Sequence, residues 1–69
     1  MVTPTSITDR EKSILAYIAG GLSNKEISEK LFISPHTVKA HIENLLLKTN
    51  LHNRVQLAVF SIKENIIDL

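Results

Sequence analysis

Two reciprocal helix starts stand close together in this chain, Thr8-Asp9-Arg10-Glu11 and Ser23-Asn24-Lys25-Glu26, and no other feature constrains its fold more. In each, the hydroxyl accepts an otherwise unpaired amide of the first turn, while the glutamate reaches back to the amide of the capping residue. A third start follows at once in Ser34-Pro35: serine caps, and proline suits the first helical position because it has no amide to leave unpaired. Asn53 caps a fourth helix. Starts this closely spaced permit only short helices, and the predicted spans are 8–19, 24–31, 35–48 and 54–64. Gly20-Gly21 ends the first, since glycine enters the left-handed region at no steric cost, and the second stops at Phe32-Ile33. Leu22 with Ile27, and Ile33 with Val38, have the spacing of hydrophobic staples across two of the caps. The gap of about three residues between the second and third spans predicts a helix-turn-helix inside an all-α, four-helix bundle-like domain.

The 69 residues make one small domain with a thin core, read here as a linker over 1–6 and the folded domain over 7–69. The first residues have no basic stretch followed by an apolar run, so they do not read as a signal peptide. No apolar run approaches the roughly 20 residues of a bilayer span, and the chain reads as soluble. Cysteine is absent, which excludes disulfides, thiolate metal sites and cysteine nucleophiles. The net charge of +1 conceals an asymmetry. Residues 1–33 are balanced, whereas 34–63 carry Lys39, Lys48, Arg54 and Lys63 against Glu43 alone and hold all three histidines. That bias hints at an anionic partner, although charge clusters also occur on any solvated surface.

At about 100° per residue the third helix sorts its side chains into three stripes. Val38, Ile42, Leu45 and Thr49 form the inward face. Nearly opposite lie His36, Lys39, Ala40, Glu43 and Leu47, polar toward the amino end and with one small residue among them. Thr37, His41, Asn44 and Lys48 run between as a flank of donors suited to phosphate oxygens. A B-form major groove is about 12 Å wide and accepts one helix, whose first turns meet base edges. The amino ends of the third helix and of the second, beside Lys25, also turn unpaired amides and a positive dipole end outward. Periodicity alone leaves a groove-reading face and an ordinary solvated face both standing. Glu43 is read first as an intrahelical partner of Lys39 and second as an acceptor for a cytosine amino group. Arg54 is open between a phosphate contact and a bridge to Glu11 or another acid.

Catalysis finds no support. His36 and His41 are about 140° out of phase and make no helical metal pair, and no metalloprotease helix, phosphate-cradling glycine loop or nucleophile elbow is present. No enzyme activity, cofactor, metal or bound small molecule is expected. The fourth helix is apolar on two sides, with Val55, Val59, Ile62 and Ile66 on one stripe and Leu57, Ala58 and Phe60 spread over the other. One side joins the core. The other pairs with a second copy, or is covered by the tail 65–69 and the loop before the helix; a non-catalytic protein-interaction module using this face is the alternative function.

Thr8-Asp9-Arg10-Glu11, Gly21-Leu22-Ser23-Asn24-Lys25-Glu26-Ile27, Leu31-Phe32-Ile33-Ser34 and Thr37-Val38-Lys39-Ala40-His41 follow one another in an order that closely resembles the LuxR/NarL-type DNA-binding domain, over residues 7 to about 62. The resemblance implies a four-helix domain with its third helix in the major groove and its fourth at a dimer interface, here Val55, Val59 and Ile62. It implies transcription regulation in the bacterial cytoplasm, at the nucleoid, as the output half of a two-component response regulator or of a ligand-sensing regulator. The length leaves no room for the other half, so the chain reads as an excised output domain or a short regulator. Double-stranded DNA and a second copy are the implied partners, and RNA polymerase is admitted as a further one. The family's base-reading places fall on His36, Lys39, Ala40 and Glu43, and its phosphate contacts on Lys25, Thr37, His41 and Lys48, with Asn44 and Arg54 assigned beside them. The sequence departs from the family at Leu47, where a basic or polar residue is favoured, and at Asn50, where glycine is. Asn50 still suits the left-handed conformation of a helix end.

Overall fold

A computed structural model describes residues 7–66, so the linker assigned to 1–6 and the part of the tail at 67–69 lie outside the described residues. Four helices follow in order: α1 (Asp9–Ala19), α2 (Asn24–Leu31), α3 (Pro35–Thr49) and α4 (Arg54–Lys63). Each begins at the cap the sequence names. Thr8 and Ser23 form complete capping boxes, Ser34 Oγ accepts from Thr37 N–H, and Asn53 Oδ1 accepts from Gln56 N–H. Boundaries shift by one residue: Thr8 stays outside α1 as its cap, α3 continues to Thr49, and Glu64 caps α4.

The helices also end alike. Gly21, Phe32, Asn50 and Asn65 have φ of 86°, 58°, 59° and 56°, so a left-handed residue follows each helix. The next amide then turns back to a carbonyl five residues earlier: Leu22 to Tyr17, Ile33 to Ser28, Leu51 to Leu46 and Ile66 to Ser61, at 2.9–3.1 Å. This closure satisfies carbonyls that the helix leaves free. It also throws an apolar residue back onto the protein, and Leu22, Ile33, Leu51 and Ile66 all pack against the core. The helical spacing puts Ile66 on the Val55 stripe, and the structure corrects this: Ile66 packs against the core instead. The chain has left the helix by then and reversed direction.

The core consists of Ile7, Ile14, Leu15, Ile18, Ile27, Val38, Ile42, Leu45 and Leu57. α4 packs chiefly on α1, and α2 on α3. The members of both staple pairs, Leu22 with Ile27 and Ile33 with Val38, belong to this apolar cluster. α4 contributes Leu57 and Ser61 as its fully buried face, with Ala58 and Phe60 half-buried beside them. Val55, Val59 and Ile62 are left exposed. Ser61 Oγ has no hydrogen-bond partner among the described residues.

Candidate nucleic-acid interface

Burial divides α3 along the stripes that its periodicity predicts. Val38 and Leu45 are fully buried and Ile42 nearly so, whereas His36, Lys39, Ala40, Glu43 and Leu47 are exposed. The helix begins in a local network: Ser34 Oγ accepts Thr37 N–H at 3.0 Å and lies 2.9 Å from Thr37 Oγ1. Those bonds fix the first turn and leave His36 directed outward from it. Lys39 and Glu43 are both exposed and form no ion pair with each other, so the intrahelical partnership read first for Glu43 is corrected. Water solvates both ends of an exposed pair well, and an i,i+4 pair with lysine on the amino-terminal side is the less favourable order.

Of the donor flank, Thr37 and Asn44 are exposed and His41 is half-buried. Lys48 has a different place. Its Nζ lies 2.7 Å from Glu11 Oε1, which also accepts the Thr8 backbone N–H at 2.9 Å. Glu11 is only 7% exposed. Burial pushes its carboxyl up, but Lys48 and Thr8 outweigh burial and hold it below the usual value. The lysine expected at phosphate thus ties the carboxyl end of α3 to the start of α1.

Arg54 also turns inward. Its Nη1 donates to Asn24 Oδ1 at 2.6 Å and its Nη2 to the Leu22 carbonyl at 2.5 Å. The bridge from Arg54 to Glu11 that the sequence leaves open does not form: Lys48 pairs with that carboxylate, and the guanidinium is engaged at Asn24 and Leu22. Arg54 instead fastens the start of α4 to the α1–α2 turn and the first residue of α2. Beside it, Lys25 stands exposed in the first turn of α2. In the same turn the Ser23 amide and hydroxyl hold the Glu26 carboxyl below its ordinary range.

One exposed residue went unassigned. Phe32, at the α2–α3 junction, is 94% exposed and left-handed. The signal for it was present: a three-residue turn that closes one helix and caps the next needs a left-handed residue, and β-branched Ile33 is the poorer choice. On α4, a shallow apolar groove is lined by Leu51, Val55, Val59 and Phe60, with Gln56 and Lys63 at its polar edge.

The sequence profile described as "Bacterial regulatory proteins, luxR family" matches residues 5–61. Among curated proteins, the chain is 55% identical over 60 residues to a nitrate/nitrite response regulator protein homolog of Haemophilus influenzae, covering 87% of this chain and 29% of that protein. It is 46% identical over 63 residues to the transcriptional regulatory protein LiaR of Bacillus subtilis, covering 91% and 30%. It is 42% identical over 62 residues to the oxygen regulatory protein NreC of Staphylococcus carnosus, covering 90% and 29%. The chain therefore spans about three-tenths of the length of these relatives.

Proposed function

The chain belongs to the luxR family of bacterial regulatory proteins, and from that premise we propose that it binds double-stranded DNA sequence-specifically to control transcription, with α3 lying in the major groove. The observation that carries this reading is the division of α3. One face is consumed by the core, while the opposite face presents His36, Lys39, Ala40 and Glu43 to solvent with neither charge neutralised. These four residues read base edges: Lys39 donates to guanine acceptors, Glu43 accepts from a cytosine amino group, and Ala40 leaves space for a thymine methyl. Lys25, Thr37, His41 and Asn44 hold phosphate oxygens. Lys48 and Arg54 act one step back, Lys48 by tying the carboxyl end of α3 to α1 and Arg54 by tying the start of α4 to the α1–α2 turn and the start of α2.

A second copy docks on Val55, Val59 and Ile62 and on the adjoining groove. The described fold is 30 Å in its longest dimension, whereas half-sites one helical turn apart lie about 34 Å from centre to centre, so one copy reads one half-site. The pair then reads a pseudo-palindrome. The relatives' names, a response regulator and a transcriptional regulatory protein, support a regulatory role; we extend it to the output domain of a two-component response regulator, in the bacterial cytoplasm at the nucleoid, with RNA polymerase as a further contact. No catalysis is assigned to it.

The test is titration of duplex DNA at two salt concentrations, followed by selection of bound duplexes from a random pool. A steep salt dependence and an enriched inverted repeat are expected, and Lys25→Ala flattens the salt slope by about one unit. Flat, negligible binding would instead favour a protein-interaction module, the second reading, which the exposed stripe on α4 supports. Sedimentation giving a monomer both free and on DNA removes the dimer.

A further inference from the structure

The four helix ends provide an internal control. Each needs one left-handed residue, and three use residues that adopt this conformation at little cost: Gly21, Asn50 and Asn65. The fourth uses Phe32, whose bulky side chain makes a positive φ unfavourable. Packing does not offset that cost. Phe32 is 94% exposed, more than any other large apolar residue among the described residues. It thus carries both backbone strain and an unburied ring, and the isolated domain gains stability from neither.

Its position indicates what covers it. Phe32 is followed by Ile33, which turns back onto the core, and then by Ser34, Pro35 and His36, all exposed at the amino end of α3. Between Glu29 and Glu43 the chain has Lys30, Lys39 and two histidines and no carboxylate, and Lys39 is the exposed cation that the DNA-binding reading places in the groove. The ring is not on α4, which packs chiefly on α1, so a second copy seated on the α4 stripe leaves it uncovered. We propose that Phe32 packs its ring against the deoxyribose edge of the DNA backbone at the mouth of the groove that α3 enters. It stands outside the helix, two residues before the cap, and so meets the rim of the groove before the base edges. An uncharged ring on sugar displaces no counterions and reads no sequence. This inference rests on the DNA-binding reading above and adds an apolar anchor to its polar contacts.

Three variants of the whole chain test it: Phe32→Gly, Phe32→Asn and Phe32→Leu, each measured for thermal stability and for binding to a selected and a random duplex at two salt concentrations. Phe32→Gly and Phe32→Asn are expected to unfold at a higher temperature than the parent, because both residues suit the left-handed region. The same two bind both duplexes about five- to tenfold more weakly, the factor for withdrawing roughly 50 Å² of apolar surface, with an unchanged salt slope. Phe32→Leu keeps an apolar side chain and retains most of the affinity. DNA binding that survives Phe32→Gly intact overturns this proposal alone. Loss confined to the selected duplex overturns the sugar contact in favour of base readout. A parent chain that ignores DNA removes the proposed function and this anchor with it.

Discussion

α3 carries two lysine–glutamate relationships, and they behave oppositely. Lys39 and Glu43 are one turn apart on the same exposed face and do not pair, whereas Lys48 reaches Glu11, 37 residues away in sequence, at 2.7 Å. Proximity along the helix favours the first pair, so surroundings decide the outcome. Glu11 is 7% exposed and already accepts the Thr8 amide, and a carboxylate so placed requires a cation. Glu43 is solvated by water and requires none. The inward half of α3 thus spends its charge on the fold, while the outward half keeps its charge for a partner.

The strongest test of that division is Glu11→Ala. It removes the ion pair to Lys48 and the acceptor of the Thr8 amide together, and a loss of about 2–3 kcal/mol in urea-unfolding stability is expected. Glu11→Gln keeps an acceptor for Thr8 and loses less. The pH profile adds a check. Folding holds the Glu11 carboxyl below its ordinary 4.5, so its contribution is complete above that value and disappears as pH falls through the lower folded-state value. The Gln variant has a flatter acid limb. If both variants unfold like the parent, the tie to Lys48 contributes nothing to the fold.

Lys39→Ala is the converse. The side chain is exposed and unpaired, so stability changes by less than about 0.5 kcal/mol. Binding to a selected duplex falls by roughly 1–3 kcal/mol and binding to random DNA changes little. Equal losses on both duplexes would move Lys39 from base edge to phosphate.

Much of this molecule was legible before its structure. Thr8, Ser23, Ser34 and Asn53 each cap the helix they were expected to cap, because a cap is a local bond within three residues. The buried and exposed faces of α3 followed from its period for the same reason. The ties of Lys48 and Arg54 were not legible. Periodicity fixes where a Cβ stands, but the head of a long side chain lies several ångströms away and chooses among partners on other helices. Glu11 and Asn24 are 37 and 30 residues distant, and no local pattern records such a choice. Ser61 was hidden differently: its hydroxyl gives no sign in the sequence that helix packing will bury it without a partner.

The smallest expected effect separates the two pairs most sharply. In a double-mutant cycle of Lys39→Ala with Glu43→Ala, read by unfolding stability, the coupling should stay below about 0.3 kcal/mol, since even well-formed i,i+4 pairs reach only about 0.3–0.5 and this one has the unfavourable order. The matching cycle of Glu11→Ala with Lys48→Ala should give about 1 kcal/mol or more, because the pair is close, at 2.7 Å, and its carboxylate is buried. The cycle isolates the pair from the unrelated losses that each truncation brings, such as the aliphatic stem of Lys48 or the Thr8 cap. A coupling of half a kcal/mol or more between Lys39 and Glu43 would mean that they pair in solution. DNA would then have to break that pair before either could reach a base, and the outward face of α3 would no longer stand ready for a partner.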